Sequence, residues 1–384
     1  MNSRNARKVL CITNDFGPRA GGIETFVIGL IERMPFGSVT VYTSAQPTSE
    51  SYDAQWLEDY GVVVIRDKSK ILLPTLRVRS AIMAIIAEQR IERVFFGAAA
   101  PLALLSHGAR KAGAERIVAL THGHEVWWAK IWPFSWAIRR IGRGVDALTY
   151  LGEFTRSAIS RALRDSDAQA MVRIAPGIDI EHFSPQESVD ALREELELTG
   201  KRIIVSVGRL VHRKGQDSLV ESLPLIVKEF PDAHLLFVGV GPHLEYIHKR
   251  AVQLGVLSHI SFVGRVQYSE LPRFIALGEI FAMPSRSRLA GLEVEGLGIV
   301  YLEASACGLP VIGGKSGGAP DALLEGETGF AVDGLDKLEI AKAINLLLSD
   351  PERARSMGAR GREWIVDEWQ WKRWSEEFNA LLDL

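Results

Sequence analysis

Residues Glu293 to Gly313 read EVEGLGIVYLEASACGLPVIG, and two of their carboxylates, Glu295 and Glu303, stand eight residues apart. Eight residues of α-helix make two turns plus roughly 80°, so one helix through both acids would aim them in different directions. The run Gly296-Leu297-Gly298 places Glu295 on a loop instead and starts a helix near Gly298. That helix runs through Ile299 and Val300 to Cys307 and stops at Gly308, where glycine can end it. Glu303 then lies one to two turns inside. The unpaired N–H groups of the helix start stand between the two acids and favour an anion, most naturally a phosphate. The ligand this arrangement suits has hydroxyls at both ends and negative charge in the middle.

Outward from this stretch the same habit repeats. Short β-branched runs alternate with helix-length amphipathic segments: KVLCIT, VTVYT, VVVIR, RVFFG, RIVALTH and DALTY in the first half, then KRIIVSVG, AHLLFVG, HISFVG, EIFAMPS, LPVIG and TGFAV. Such alternation predicts βαβ units and parallel sheets covered by helices, an α/β fold of two doubly wound, Rossmann-like domains with about six strands each. The length of 384 residues suits two cores. The boundary falls in APGIDIEHFSPQES, where a strand-like MVRI runs into Pro and Gly. The expected domains are residues 1–178 and 179–363, with a final helix over 364–384 rejoining the first. Trp364, Trp371, Trp374 and Phe378 form one stripe of that helix, read as core packing.

Apolar residues make up 47% and charged residues 24%, the balance of a soluble globular protein. A net charge of −2 argues against a nucleic-acid partner. Two cysteines, Cys11 and Cys307, are too few for a disulfide framework or a cysteine-built metal site and point to a reducing, cytoplasmic setting. The apolar stretch Val9–Ile12 is too short for a signal-peptide core. The longest apolar run, Val94 to Leu105, has twelve residues against the roughly 20 that span a bilayer. Any membrane contact is therefore expected to be peripheral.

Five further motifs lie at predicted strand ends or beside helices. In NDFGPRAGGIETF, Gly21 and Gly22 precede a helix and either let the backbone approach a phosphate or sugar or simply make a tight turn. VGRLVHRKGQDSL sets Arg209 and Lys214 between a strand and a helix, where a guanidinium fork and a mobile ammonium suit a diphosphate; a solvated basic loop is the alternative. LLFVGVGPHLE is a weak dinucleotide signal, since no glycine stands at position 244. THGHEVWW brings His122 and His124 to a strand end without a third metal ligand, for contact with a sugar hydroxyl or for burial. RDSD, with Asp165 and Asp167, reads as a solvated turn. No metal site is expected.

With these residues in view the chain resembles a GT-B glycosyltransferase of family 4, the retaining group marked by a Glu-x7-Glu pair. The resemblance covers nearly the whole chain, from Gly21-Gly22 through THGHE, Gly208-Arg209 and Lys214 to Glu295 and Glu303. TNDFGPRAGGIETF, FFGAAAPLALL, RKGQDSL, GLEVEGLGIVYLEA and GGAPDALL are similar to actinobacterial phosphatidylinositol-monomannoside mannosyltransferases. The resemblance implies a donor cleft between the domains, GDP-mannose as donor, a glycolipid acceptor at an anionic membrane face, no cofactor and no metal. Position by position, it implies that Gly21 and Gly22 face phosphate and mannose. Arg209 and Lys214 hold the diphosphate, Glu295 meets the mannose 3- and 4-hydroxyls, Gly296, Leu297, Gly298, Ile299 and Val300 line the donor site, and Glu303 meets the ribose. His122 sits by the mannose 6-hydroxyl, and the base lies at Arg265 and Val266. It leaves open which arginine of SRSRLAGLEVEG, Arg286 or Arg288, meets phosphate.

Other readings are a glucuronosyl acceptor lipid, a nucleotide-sugar epimerase and a non-catalytic sensor. The segment VWWAKIWPFSWAIRRIGRG, residues 126–144, has Trp127, Trp128, Trp132 and Trp136 among Lys130, Arg139, Arg140 and Arg143, without an acid. It is the expected membrane contact. The isoleucine stripe of TLRVRSAIMAIIAEQR is better read as core.

Overall fold

The computed structural model describes residues 7–19, 21–186 and 188–384. The chain forms two compact units, one running to Gly177 and taking in Trp371–Leu384, the other Ile178–Gln370.

The first unit holds seven parallel strands: β1 (Val9–Thr13), β2 (Val39–Thr43), β3 (Val63–Arg66), β4 (Arg93–Phe96), β5 (Arg116–Ala119), β6 (Ala147–Tyr150) and the short β7 (Val172–Arg173). Their order is β3-β2-β1-β4-β5-β6-β7. β1 is buried along its whole length, as a central strand covered on both faces must be. The order reverses between β1 and β4, and open sheets of this kind bind ligands at such a switch, beyond the carboxyl ends of the strands. The helix Leu76–Gln89 starts on the Thr75 hydroxyl, which accepts from the Val78 N–H, and buries Val78, Ile82, Ile85 and Ile86. The isoleucine stripe is core.

The second unit holds β8 (Arg202–Val207), β9 (Ala233–Val238), β10 (Ile260–Gly264), β11 (Ile280–Met283), β12 (Val311–Gly314) and β13 (Gly329–Val332), in the order β10-β9-β8-β11-β12-β13. Here the switch lies between β8 and β11. Ile204, Leu219, Leu223, Phe237 and Ile344 meet in its fully buried core.

The C-terminal segment is two helices rather than one. Pro351–Glu368 ends at Trp369, whose carbonyl accepts from the Ile178 N–H at 2.7 Å, and Gln370 bridges to Ile178. That extended pairing interrupts the helix. Trp364 packs edge-on against Trp369 within the second unit, and the return to the first falls at Trp371. There Trp374 and Phe378 are buried, Phe378 edge-on to Phe95 of β4. Asp165–Gln169 is a short exposed helix, not the turn expected of RDSD.

Candidate active site

The mouths of β8 and β11 in the second unit carry a cluster of charged residues. After β8 the chain makes a single turn, His212–Lys214, and Gly215 at φ +76° leads into the helix Gln216–Glu229. A side chain on Gly215 would strike the Pro284 carbonyl beyond β11, so the two loops meet backbone to backbone. Lys214 Nζ stands 2.9 Å from Glu295 Oε2, and Arg213 Nη1 donates to the same oxygen at 3.0 Å. Glu295 is 8% exposed. Two cations on one carboxylate leave a local positive charge for an anion to balance. Arg213 also faces Glu293 at 3.8 Å, which pairs with Arg288 at 3.0 Å. The SGGAPD turn holds the Glu295 backbone, since Gly318 N–H donates to its carbonyl at 2.8 Å.

Glu295 lies on the loop and Glu303 inside the helix Ile299–Ala306, as their spacing implies. Gly298 precedes the helix at φ +82°, and the N–H groups of its first turn, at Ile299 and Val300, lack helical acceptors. Tyr301 donates to the Met283 carbonyl at 2.6 Å, pinning the helix start to the end of β11. Burial pushes the Glu303 carboxyl up to about 7, with Lys214 pulling the other way. Gly296 and Leu297 complete the loop, Leu297 facing inward.

Arg209 is exposed, and among the described residues it has no ion-pair partner. Arg265, exposed, and Val266, half-buried, follow β10, which lies two strands from β8 in the sheet. Packing accounts for Gly239 and Gly241: side chains there would strike the carbonyls of Gly208 and Leu210. No dinucleotide fingerprint is needed.

Spacing could not reveal a further cluster, because it joins two loops. His212, Asp217 and His243 bring ligand-type atoms within 4.8 Å of one another, among the described residues the one group of metal-ligand composition. It already holds a cation. Arg286 donates from Nη2 to Asp217 Oδ2 at 2.5 Å and to His212 Nδ1. Both arginines left open by the sequence are thus engaged, Arg286 here and Arg288 with Glu293.

In the first unit the ends of β1, β4 and β5 carry the polar residues. His122 is half-buried; its Nε2 faces the Gly97 carbonyl at 2.5 Å, and its main-chain N–H donates to Glu125 Oε2 at 3.0 Å. Burial lowers its pKa, so the ring is neutral near pH 7. An Nε2–H facing a carbonyl leaves Nδ1 as an acceptor. His124 Nε2 lies 3.2 Å from the fully buried Glu125. Gly21 caps the helix Gly22–Ile31 in extended conformation, and a side chain on Gly22 would meet nothing within 4 Å. The fold itself does not require glycine at 22.

Sequence reading passed over Asp15, Glu125 and Arg213. Burial, and then Glu24, raise Asp15 to about 6, while Arg19 opposes. Its position directly after β1, at the switch point, was the available signal.

A family model described as Glycosyl transferases group 1 matches residues 188–364, and one described as Glycosyltransferase Family 4 matches residues 20–182. The structure of Anabaena HepE in complex with UDP superposes with a TM-score of 0.82 at 18% identity, covering 98% of this chain and 99% of that one. The two Rossmann-like units are the GT-B fold, and the chain belongs to the family 4 glycosyltransferases. It is 45% identical over 376 residues to the GDP-mannose-dependent alpha-(1-6)-phosphatidylinositol monomannoside mannosyltransferase of Mycolicibacterium smegmatis, covering 97% of this chain and 98% of the relative. With the Corynebacterium glutamicum GDP-mannose-dependent monoacylated alpha-(1-6)-phosphatidylinositol monomannoside mannosyltransferase it shares 40% identity over 380 residues, 98% of each chain.

Proposed function

We propose that the protein transfers mannose from GDP-mannose to a phosphatidylinositol mannoside, with retention at the anomeric carbon and without a metal. The observation that carries the donor and acceptor class is the end-to-end identity of 45% and 40% with two enzymes named for them.

Transfer from a nucleotide sugar builds an oxocarbenium-like carbon beside a departing diphosphate, so the enzyme must above all stabilise leaving-group charge. Lys214, Arg209 and the helix start at Ile299 are assigned to that charge, which is why no metal is invoked. Glu303 is assigned to the ribose, and the backbone at Arg265 and Val266 to the base. Glu295 is assigned to the mannose 3- and 4-hydroxyls, as an ionised carboxylate that only accepts. Held by Lys214 and Arg213 at 2.9 and 3.0 Å, it is a poor nucleophile, which supports front-face attack over a covalent glycosyl-enzyme. In the first unit, Gly22 is assigned to close approach of the donor and His122 Nδ1 to the mannose 6-hydroxyl.

Trp132 is 81% exposed and Trp136 58%, beside the exposed Arg139, Arg140 and Arg143. Indole rings and cations together suit an anionic headgroup layer, so this segment is assigned to peripheral membrane contact. No helix among the described residues is long and apolar enough to cross a membrane.

Incubation with GDP-mannose and a lipid extract should add one hexose to lipid, read by mass spectrometry. Release of nucleotide without any lipid product overturns the reading.

A further inference from the structure

Arg286 lies just beyond β11, is 7% exposed, and has no part in the chemistry above. Its main-chain N–H donates to the Arg213 carbonyl at 2.8 Å. Its guanidinium then reaches the far side of the same turn. Nη1 donates to Ser218 Oγ at 2.7 Å, while Nη2 serves Asp217 Oδ2 at 2.5 Å and His212 Nδ1. Residues 212, 213, 217 and 218 bracket Lys214 on both sides. One side chain therefore ties down the turn that presents it.

The surroundings leave that guanidinium little room to move. Ser218 Oγ donates onward to the Gly334 carbonyl at 2.6 Å. His243, from the loop after β9, lies 3.4 Å from Asp217 and stacks on His212 with ring centroids 4.6 Å apart. Burial pushes the Asp217 carboxyl up, but the Arg286 hydrogen bonds prevail and hold it below its ordinary range. Histidine, aspartate and histidine are a donor set that elsewhere suits a divalent metal. Here a planar fork satisfies Ser218, Asp217 and His212 at once, and a compact ammonium on a flexible stem cannot reproduce that geometry.

We propose that Arg286 is a positioning residue for donor binding: it fixes the 212–218 turn so that Lys214 and Arg213 stand at Glu295 before the donor arrives. The proposal rests on the assignment of Lys214 to the donor diphosphate. A misplacement of about 1 Å in a group that orients a reactant lowers turnover on the order of 100-fold.

The test compares Arg286→Lys, Arg286→Met, the double variant Asp217→Asn/Arg286→Met, and Lys214→Ala. It measures thermal unfolding, GDP affinity by calorimetry, and kcat and KM with GDP-mannose. Arg286→Lys should unfold near the wild-type temperature yet bind GDP more weakly and lose kcat/KM by roughly 100-fold. Arg286→Met strands a buried carboxylate and should be less stable. The double variant removes both charges and should recover stability without recovering kcat/KM, which separates positioning from mere charge neutralisation. Wild-type GDP affinity and kcat/KM in Arg286→Lys or in the double variant, with Lys214→Ala inactive, overturns the positioning role alone. Full activity in Lys214→Ala overturns the donor assignment beneath it.

Discussion

Glu303→Gln is a substitution whose effect on stability should depend on pH. Burial raises the Glu303 carboxyl from an ordinary 4.5 to about 7, so the folded chain holds this proton more tightly than the unfolded one. The stability it lends is full below the unfolded value and falls as pH rises through the folded value; above that it is gone. A rise of that size at ~1.4 kcal/mol per unit sets a ceiling of ~3 kcal/mol. Glu303 is only half-buried, and solvent screening reduces this to about 1–2 kcal/mol. Glutamine has the same shape and no charge. In ligand-free protein it should raise the unfolding temperature of the second unit by roughly 2–8 °C at pH 8, with little change at pH 5. The same substitution should weaken GDP-mannose binding, because the ribose loses a carboxylate acceptor. Differential scanning calorimetry at the two pH values reads the first effect and calorimetric titration the second. Equal shifts at pH 5 and pH 8, or destabilisation at pH 8, would refute the placement of this carboxyl in a site that disfavours its charge.

Lys214→Ala and Glu295→Gln should keep the fold and each lose transfer by roughly 10²–10³, the cost of removing one key electrostatic group, ~3–4 kcal/mol; near-normal turnover in either folded variant excludes the assignment. Excess EDTA should leave initial rates unchanged, whereas abolition with rescue by Mn²⁺ or Mg²⁺ would place a metal in the reaction. Binding to anionic liposomes should weaken steeply as salt rises, since exposed charges are screened over roughly 8–10 Å at physiological ionic strength. Arg139→Glu/Arg140→Glu/Arg143→Glu should no longer co-sediment with them; equal pelleting of variant and wild type, or equal pelleting on neutral lipid, contradicts the membrane assignment.

The parallel architecture was legible because its signals are local. Buried strands such as VLCIT and AHLLFV are short apolar runs, and Gly298 and Gly308 mark the ends of their helix one residue at a time. The relation of Glu295 to Glu303 could be worked out for the same reason: eight residues on a known helix geometry decide it. What escaped depends on contacts between segments far apart in sequence. Arg286 meets Asp217 across 69 positions, and Arg213 meets Glu295 across 82. No periodicity encodes such pairings, which is why the arginines of SRSRLAGLEVEG could not be sorted. The break at Trp369 escaped likewise, because Ile178 imposes it from the other end of the second unit. Asp15 differs: it was visible at the end of the first strand and was passed over in favour of the glycines that follow.

The most direct test supplies a defined phosphatidylinositol monomannoside in anionic vesicles, with GDP-mannose or UDP-glucose as donor, and follows the lipid by mass spectrometry and the new anomeric centre by NMR. The predicted result is one added hexose from GDP-mannose, α-configured, with Lys214→Ala inactive and UDP-glucose a poor donor. Faster transfer from UDP-glucose, a β-linked product, or release of GDP with the lipid unchanged would contradict it.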